Sequence, residues 1–378
     1  MTVNKKDPVL AVLQLSGGND ALNTLIPYND PLYLDNRPNV RVPQDTVLPL
    51  NDQVGLNPAM APLKKLYDDG KVAVIQGIGY PSPSRSHFRS MDIWHTCEPD
   101  KVGDEGWLGR AVRDLDPNKE NVLTAVNFGR GLPRALAAPG VPVASVGDLE
   151  TYGVLTGIDN DTQRAKALDV FSRVYSPMIG KGPVVDYLAQ TGLDALKGAD
   201  ILSSAVENYS STIEYGGDVV GQYMMNMAQT HLAGFGTKIL YTTAPYNSFD
   251  THAGELANHT KLWTETSRAI ADFYDDLKEH NASDNVVLFM FSEFGRRVAD
   301  NGSGTDHGAA GIAFCVGENV KGGIYGDYPS LEPSQQEEGG NLKVGMDFRQ
   351  IYSTFVEDWM GLNPAPIVNG SFDKVPFL

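Results

Sequence analysis

The chain has 378 residues, of which 42% are hydrophobic and 20% charged, a composition that favours an ordinary globular protein with a substantial core. Its formal net charge of −17 argues against a nucleic-acid or anionic-membrane surface, because phosphates are held by clustered Lys and Arg. No apolar run is long enough to span a membrane. We therefore expect neither nucleic acid nor a membrane as a partner, and the sequence leaves the oligomeric state open.

The first part of the chain alternates apolar runs with helical patterns. Val9 to Leu15 predicts a buried strand, and Asn19 to Leu22, after Gly17-Gly18, predicts a loop or helix start. Pro58 to Tyr67 has helical spacing and precedes a second strand, Val72 to Gly77. This order is typical of successive βα units.

The second strand runs into a loop that contains two prolines. Pro81 and Pro83 favour an extended backbone. The apolar residues that follow recur at helical spacing, so the range 84–86 is expected near a helix N-terminus.

The second half of the chain continues this alternation. Short apolar runs between 121 and 146 are typical of strands and loops, and Ile239 to Thr243 predicts a strand. A helical pattern from Leu256 to Leu277 then precedes the apolar run Val286 to Phe291. The alternation favours an α/β fold with a largely parallel sheet, built as a single domain over 1–378.

One stretch is predominantly helical. Thr162 to Tyr175, Pro183 to Tyr209 and Gln222 to Leu232 each predict a helix. We interpret the range from about 161 to 232 as a helical insertion or cap that shapes the substrate site.

Acidic and imidazole side chains follow the predicted strands. In open parallel sheets, ligands collect beyond the carboxyl ends of the strands. Carboxylates and neutral imidazoles are ligands for zinc, manganese and similar ions, and this set is large enough for two divalent ions. The candidate metal ligands are Asp20, Asp250, His252, Glu293, Asp306 and His307.

Hydroxyl groups near the predicted helix N-terminus are candidate nucleophiles. Free backbone N–H groups and the helix dipole favour an anion there. A structural N-cap serine explains the same position equally well. The candidate catalytic residues are Ser86 and Ser84, with the adjacent Arg85, His87 and Arg89 and the more distant Arg296 as further members.

Other sites are less well supported. The chain contains neither GxGxxG nor GxxxxGK[ST], so a nucleotide loop is not expected. A metal-independent triad of Ser86, His307 and Asp250 can be drawn, but it leaves the other acids without a role. Cys97 and Cys315 lack metal spacing and are expected to be free thiols.

Several segments resemble the DUF1501 proteins, relatives of the alkaline phosphatase and sulfatase superfamily, and the resemblance covers nearly the whole chain. The segments are LSGGNDALNTLIPYNDPLY, GYPSPSRSHFRSMDIW, FDTHAGELANH, FSEFGRR and DHGAAGIAFCVGENVKGGIYG. The resemblance implies an alkaline phosphatase-like three-layer sandwich, with two metal ions beside a hydroxyl or modified Cys nucleophile.

The superfamily pattern extends to individual positions. Asp20 matches its first acid, and Ser86 best matches its nucleophile, with Ser84 as runner-up. Asp250 with His252 resembles an acid-imidazole pair, and His307 resembles the last imidazole. Glu293 occupies the place of the usual Asp-His pair, but Phe294 stands where the His of that pair is expected. Asp306 is the residue that can substitute for this missing ligand.

The leading interpretation is a metal-dependent hydrolase of phosphate or sulfate esters, with a small anionic ester as substrate and zinc, manganese or calcium as cofactor. The alternatives are a non-catalytic ligand-binding protein with the same fold and a metal-independent serine hydrolase. The chain begins MTVNKKD, without the export signal common in the family, so we expect a cytoplasmic location.

Overall fold

The computed structural model describes residues 7–147 and 209–378, together with position 149 and scattered positions between 162 and 207. The helices predicted at Thr162–Tyr175 and Pro183–Tyr209, and with them most of the predicted cap, lie outside the described residues. The last helix predicted in that range is confirmed, as Val219–Leu232.

A nine-stranded mixed sheet forms the centre of the molecule. The strands of this sheet are β1 (Val9–Leu15), β5 (Val72–Gly79), β6 (Ala125–Phe128), β7 (Ala144–Val146), β8 (Ile239–Thr243), β9 (Val286–Ser292), β12 (Gly311–Val316), β13 (Gly323–Tyr325) and β14 (Met346–Asp347). They lie in the order β13-β5-β12-β9-β1-β8-β6-β7, with β14 also paired to β5. β12 is antiparallel to both of its neighbours, and the other pairings are parallel.

Short strands form two further sheets. They are β2 (Leu25–Ile26), β3 (Leu48–Pro49) and β4 (Gly55–Leu56) in one, and β10 (Arg296–Asp300) and β11 (Thr305–His307) in the other. The described α-helices are α1 (Ala21–Thr24), α2 (Pro31–Asn36), α3 (Ala61–Asp68), α4 (His87–Thr96), α5 (Trp107–Leu115), α6 (Val219–Leu232), α7 (Glu255–Glu279), α8 (Phe348–Thr354) and α9 (Pro364–Val368). None of them is long and apolar enough to cross a membrane.

Each face of the central sheet packs against its own set of helices. Leu13 of β1 belongs to one core with Met227 of α6 and Trp263 of α7. Its neighbour Val12 belongs to the other core, with Trp94 of α4 and Tyr352 of α8. Successive side chains of a strand point to opposite faces, so β1 is buried on both. This two-sided burial explains why its sequence is a continuous apolar run.

The sequence predictions for the main elements are confirmed. The strands β1, β5, β8 and β9 and the helix α7 lie where the apolar patterns indicate. Cys97 and Cys315 are buried free thiols, as expected. The antiparallel β12, between β5 and β9, is a feature that the alternation of strands and helices does not predict.

This topology determines where the candidate site residues meet. The strands β5, β9, β1 and β8 all run in one direction, so their carboxyl ends lie at one edge of the sheet. The segments that follow them carry Gly17, His87, Asp250 and Glu293.

Candidate metal centre

Three side chains converge at this edge of the sheet. His87, Asp250 and His307 each offer one donor atom, and these atoms all lie within 4.8 Å of one another. His307 Nε2 is 3.0 Å from Asp250 Oδ1, and His87 Nε2 is 3.4 Å from Asp250 Oδ2. We call this group the metal cluster.

Local structure brings each member of the metal cluster to this position. His87 is the first residue of α4, and the extended Ser86 is the N-cap of that helix. Asp250 lies in the loop between β8 and α7, and His307 ends β11. The three donors therefore come from three separate parts of the chain, of which two follow strands of the central sheet.

Glu293 orients His87. Its Oε1 lies 2.9 Å from His87 Nδ1 and accepts a hydrogen bond from Gly17 N at 2.9 Å. Its Oε2 accepts a hydrogen bond from Ser292 Oγ at 2.9 Å. A carboxylate on the far nitrogen of a histidine is the usual partner of a metal-bound imidazole, since it fixes the tautomer and raises ligand basicity. Glu293 therefore acts on the cluster through His87.

Arg296 holds the second member of the cluster. Its Nη2 donates to Asp250 Oδ1 at 2.7 Å and to Phe249 O at 3.0 Å, and its Nε donates to Gly18 O at 2.6 Å. The side chain is fully buried. Asp250 is thus fixed from the protein side while its other oxygen, Oδ2, faces His87.

The donor set suits a transition metal. Bonds of about 2.0–2.2 Å to nitrogen and oxygen place tetrahedral ligand atoms roughly 3.3–3.6 Å apart. The separations of 3.0 Å for His307 and Asp250 and 3.4 Å for His87 and Asp250 are close to that value. His87 Nε2 is also a buried nitrogen without a hydrogen bond, which is a state that a metal bond relieves. The residues therefore fit a bound divalent ion.

The protonation states of Asp250 and His307 agree with ligation. Partial burial raises the pKa of Asp250, but Arg296 and His307 outweigh it and hold that pKa below its ordinary value. Burial lowers the pKa of His307. The hydrogen bond to Glu293 raises the pKa of His87, against the effect of burial. An ionised carboxylate and a neutral imidazole, the states favoured for Asp250 and His307, are those that metals bind.

His252 and Asp306 lie at the outer side of the cluster. His252 Nε2 is 3.0 Å from His307 Nε2 and 3.2 Å from Asp250 Oδ1, and its other nitrogen is 3.4 Å from Asp306 Oδ1. Both side chains are nearly half exposed, at 44% and 46%. His252 thus contacts two of the three inner donors, and Asp306 contacts His252.

An aromatic side chain forms one wall of the cluster. The ring of Phe294 is 5.0 Å from that of His87 and 4.9 Å from that of His307. Gly18 lies against it at a φ of +78°, and a Cβ there would be 2.3 Å from the Phe294 ring. Glycine is required at this position because both the backbone conformation and the space exclude a side chain.

The candidate nucleophiles lie beside His87. Ser86 is exposed, and within the described part of the chain its hydroxyl makes no hydrogen bond. Ser84 Oγ accepts a hydrogen bond from Ser86 N at 3.2 Å. Arg85 is exposed, and its carbonyl oxygen lies 2.9 Å from His307 Nδ1. These three residues therefore form the rim of the cluster.

The structure does not bring Asp20, a predicted metal ligand, together with His87, Asp250 and His307. Asp20 caps α1 by accepting from Leu22 N at 3.0 Å, and it forms a fully buried ion pair with Arg37. Burial raises its pKa, but Arg37 and a hydrogen bond with Glu255 hold that pKa well below its usual range. Its oxygens are therefore satisfied within the protein.

Two of the arginines among the candidate catalytic residues bind other parts of the protein. Arg89 donates to Asp92 Oδ2 at 2.5 Å and to the carbonyl oxygens of Glu98 and Pro99 at 3.0 and 2.6 Å. Arg296 is bound to Asp250 and to backbone carbonyls, as described above. In this structure both guanidinium groups are held by acceptors of the protein. Of the arginines proposed as catalytic, Arg85 is the exposed one.

A second buried polar cluster escaped the sequence reasoning. Glu255, at the start of α7, accepts from Asn23 Nδ2 at 2.8 Å and from Thr305 Oγ1 at 2.7 Å. Burial, followed by the charge of Asp20, raises the pKa of Glu255 to about 9. An acid at the first position of a helix is usually explained by its favourable interaction with the helix dipole. The sequence therefore does not indicate that Glu255 is buried beside Asp20.

His259 belongs to the interior and not to the metal cluster. Its Nε2 lies 3.1 Å from Asn19 Oδ1 and accepts from Trp263 Nε1 at 3.2 Å. Burial lowers its pKa to about 4. His259 is thus a neutral histidine of the core.

Comparison with known families identifies the second half of the chain. Residues 214–369 match the family described as Protein of unknown function (DUF1501). Over this range, which is less than half of the chain, the sequence is similar to that family. The DUF1501 range contains Asp250, Glu293 and His307, whereas His87 and Ser86 precede it. A comparison with functionally curated proteins gives no match.

Solved structures add distant similarities over most of the chain. A protein in the alkaline phosphatase superfamily from Vibrio parahaemolyticus is 10% identical with a TM-score of 0.40, over 96% of this chain and 69% of that one. The zinc complex of the C-terminal periplasmic domain of EcEptC from Escherichia coli is 12% identical with a TM-score of 0.39, over 95% and 84%. PsFucS1 sulfatase from Pseudoalteromonas sp. is 12% identical with a TM-score of 0.41, over 98% and 71%.

Proposed function

We propose that the protein is a metal-dependent hydrolase of small phosphate or sulfate esters. The observation that carries the proposal is the convergence of His87, Asp250 and His307, whose donor atoms lie within 4.8 Å of one another. A buried His87 Nε2 without a hydrogen bond and the Glu293 carboxylate on the far side of the same ring support it.

The second support is the position of Ser86. Its exposed hydroxyl lies at the N-terminus of α4, directly before His87. Free backbone N–H groups at a helix N-terminus favour an anion, so they stabilise both an attacking alkoxide and an ester oxygen. In the proposed reaction Ser86 Oγ gives up its proton to solvent and attacks the phosphorus or sulfur atom of the ester, while the bond to the leaving alcohol breaks and the alcohol departs. Water then hydrolyses the ester formed on Ser86, and Arg85 neutralises the non-bridging oxygens in both steps.

A divalent ion in the cluster would lower the pKa of a nearby hydroxyl and neutralise charge on the ester. Asp250 and His307 would hold it directly, and His87 would be the third ligand, oriented by Glu293. Two imidazoles with one carboxylate favour zinc or manganese over calcium, which prefers oxygen ligands throughout. The second ion implied by the family resemblance would require His252 and Asp306.

The contacts of His307 weaken the case for a metal-independent serine hydrolase. Its Nε2 faces Asp250 Oδ1 at 3.0 Å, and its Nδ1 faces the carbonyl oxygen of Arg85 at 2.9 Å. A triad requires one nitrogen directed at the nucleophile and the other at the acid. Here both nitrogens already have partners other than the Ser86 hydroxyl.

Elemental analysis and a substrate panel test the proposal together. We expect at least one equivalent of zinc or manganese per chain, and turnover of aryl phosphates or aryl sulfates that is lost on chelation and restored by metal. Asp250→Ala and His307→Ala should each lose both metal and turnover. Asp68→Ala is the matched control, since Asp68 forms a surface ion pair with Lys64 and should keep both.

The outcomes separate the three functions. Metal retained in both Asp250→Ala and His307→Ala would overturn the assignment of the cluster. Turnover that survives complete metal removal would favour the serine hydrolase. Bound metal without turnover of any ester would favour a ligand-binding protein.

A further inference from the structure

A separate cavity lies at the carboxyl ends of β1, β6 and β8. Its volume is about 430 Å³, which is within the range of roughly 300–1,000 Å³ of small-molecule sites. Its deeper lining includes Gln14, His95 and Asn127, and no member of the metal cluster lines it. We call it the β6 cavity.

The deeper lining carries polar groups whose hydrogen-bonding capacity is only partly used. Gln14, His95 and Asn127 are 5%, 8% and 2% exposed. Gln14 Oε1 accepts from the Tyr241 hydroxyl at 2.5 Å and lies 2.9 Å from His95 Nε2. Asn127 Nδ2 donates to Gly131 O at 2.9 Å. Among the described residues, Gln14 Nε2, His95 Nδ1 and Asn127 Oδ1 have no partner.

These atoms define what a ligand must offer. Gln14 Nε2 is a donor and Asn127 Oδ1 is an acceptor. Since Gln14 Oε1 accepts, His95 Nε2 carries the proton, and Nδ1 of the neutral ring is a second acceptor. A ligand with several hydroxyl groups satisfies donors and acceptors alike.

Much of the remaining lining is apolar. Tyr223 and Tyr246 contribute aromatic rings, and Leu132 and Pro245 contribute aliphatic side chains. Tyr246 is 74% exposed and Leu132 is 47% exposed. Exposed tyrosine rings beside a cavity are amphipathic contact surfaces that order a ligand at small entropic cost.

The lining is nearly uncharged. Arg130 is its formally charged residue, and the described lining contains no carboxylate although the whole chain carries a net charge of −17. Burial lowers the pKa of His95 to about 4, so this imidazole is neutral at physiological pH. A neutral ligand suits this surface better than an ion.

We propose that the β6 cavity binds a neutral sugar ring, which packs its apolar face on Tyr246 and Tyr223 and directs its hydroxyl groups at Gln14, His95 and Asn127. A purely aromatic ligand matches the rings equally well but leaves the buried polar groups unpaired, which is costly. Within the described part of the chain, no member of the metal cluster lines this cavity.

Saturation-transfer NMR on the full chain after chelation tests the proposal with D-glucose, D-galactose and D-mannose, and with 4-nitrophenol as an aromatic comparison. We expect at least one sugar to bind, and Tyr246→Ala to weaken it about threefold to tenfold. Tyr246→Phe retains the ring and should bind like wild type. Phe88→Ala is the matched control, since Phe88 is 80% exposed and does not line the cavity.

Failure of all three sugars to bind overturns the proposal. If Tyr246→Ala binds the sugar as tightly as wild type does, the sugar binds outside the β6 cavity, and the proposal is overturned as well. Binding of 4-nitrophenol alone, weakened by Tyr246→Ala, overturns the ligand class. The NMR measurement involves no turnover, so its result tests sugar binding separately from the proposed hydrolase activity.

Discussion

His87 Nδ1 and Glu293 Oε1 lie 2.9 Å apart although the two residues are separated by 206 positions in the chain. The same carboxylate oxygen accepts a hydrogen bond from Gly17 N at 2.9 Å. Glu293 thereby joins the segments that follow β1, β5 and β9, and its contact presents the opposite nitrogen of His87 to the cluster. One buried carboxylate therefore sets the direction of a proposed metal ligand.

Replacement of Glu293 should weaken metal binding without abolishing it. In Glu293→Gln the amide holds His87 less well and no longer raises ligand basicity, so we expect zinc affinity to fall about 10-fold to 100-fold. Competition with a chromophoric chelator measures it. Glu318→Gln is the control, because Glu318 binds Lys71 and Tyr274 instead. Equal affinity in Glu293→Gln and wild type would contradict the role assigned to Glu293.

Removal of the Ser86 hydroxyl should abolish turnover and leave the metal in place. For an active ester substrate, kcat of Ser86→Ala should fall about 1,000-fold or more, because the nucleophile is lost. Ser84→Ala removes only the acceptor of a 3.2 Å hydrogen bond from Ser86 N, and should lose less than about 10-fold. A larger loss in Ser84→Ala than in Ser86→Ala would assign the nucleophile to Ser84.

Arg296 should prove to be a stability residue. Arg296→Ala leaves Asp250 Oδ1 and several backbone carbonyls without their buried donor, and we expect a loss of about 3–5 kcal/mol in unfolding free energy. Urea denaturation measures it. The neighbouring Arg297 is 36% exposed and pairs with Asp306 at 3.7 Å, so Arg297→Ala should cost less than about 1 kcal/mol. A similar loss of unfolding free energy in Arg296→Ala and Arg297→Ala would refute the structural role assigned to Arg296.

Glu255 should make the protein less stable as pH rises. Burial and Asp20 raise its pKa from 4.5 to about 9 in the folded state. Between these values the folded state retains a proton that the unfolded state has released, so the unfolding free energy falls with pH. One group contributes a slope of at most about 1.4 kcal/mol per pH unit.

Glu255→Gln removes this titration while keeping a neutral side chain that can donate to Asp20. The variant should therefore gain stability relative to wild type as pH rises from 6 to 8, as measured by urea denaturation across that range. Glu279→Gln is a control on the same helix, since Glu279 is exposed and binds Thr212. Parallel pH profiles for wild type and Glu255→Gln would contradict the raised pKa.

Much of the architecture can be predicted from the sequence for a simple reason. The strands β1, β5 and β9 are buried on both faces and therefore appear as continuous apolar runs bounded by Gly, Pro or polar residues. The direction of a strand has no such signature. The antiparallel β12 lies between β5 and β9 because of pairing with residues far away in the chain.

The candidate site shows the same division. Its location at one sheet edge followed from the order of strands and acids, so Asp250, Glu293 and His307 could be named from sequence. Asp20 comes after β1 in the same way, but its oxygens are engaged by Arg37 and by the α1 backbone. Sequence order places a residue at an edge, whereas the direction of its side chain depends on its partners.

By itself, the sequence determined the run of strands and helices, the edge at which the acids and histidines gather, and the serine that directly precedes α4. The tertiary structure alone decided that His87 faces Asp250, that Glu293 stands behind His87, and that Arg296 is buried under the cluster. The physical reason is that a periodic apolar pattern encodes burial locally, whereas hydrogen bonds and ion pairs extend only about 3–4 Å and join residues that folding alone brings together.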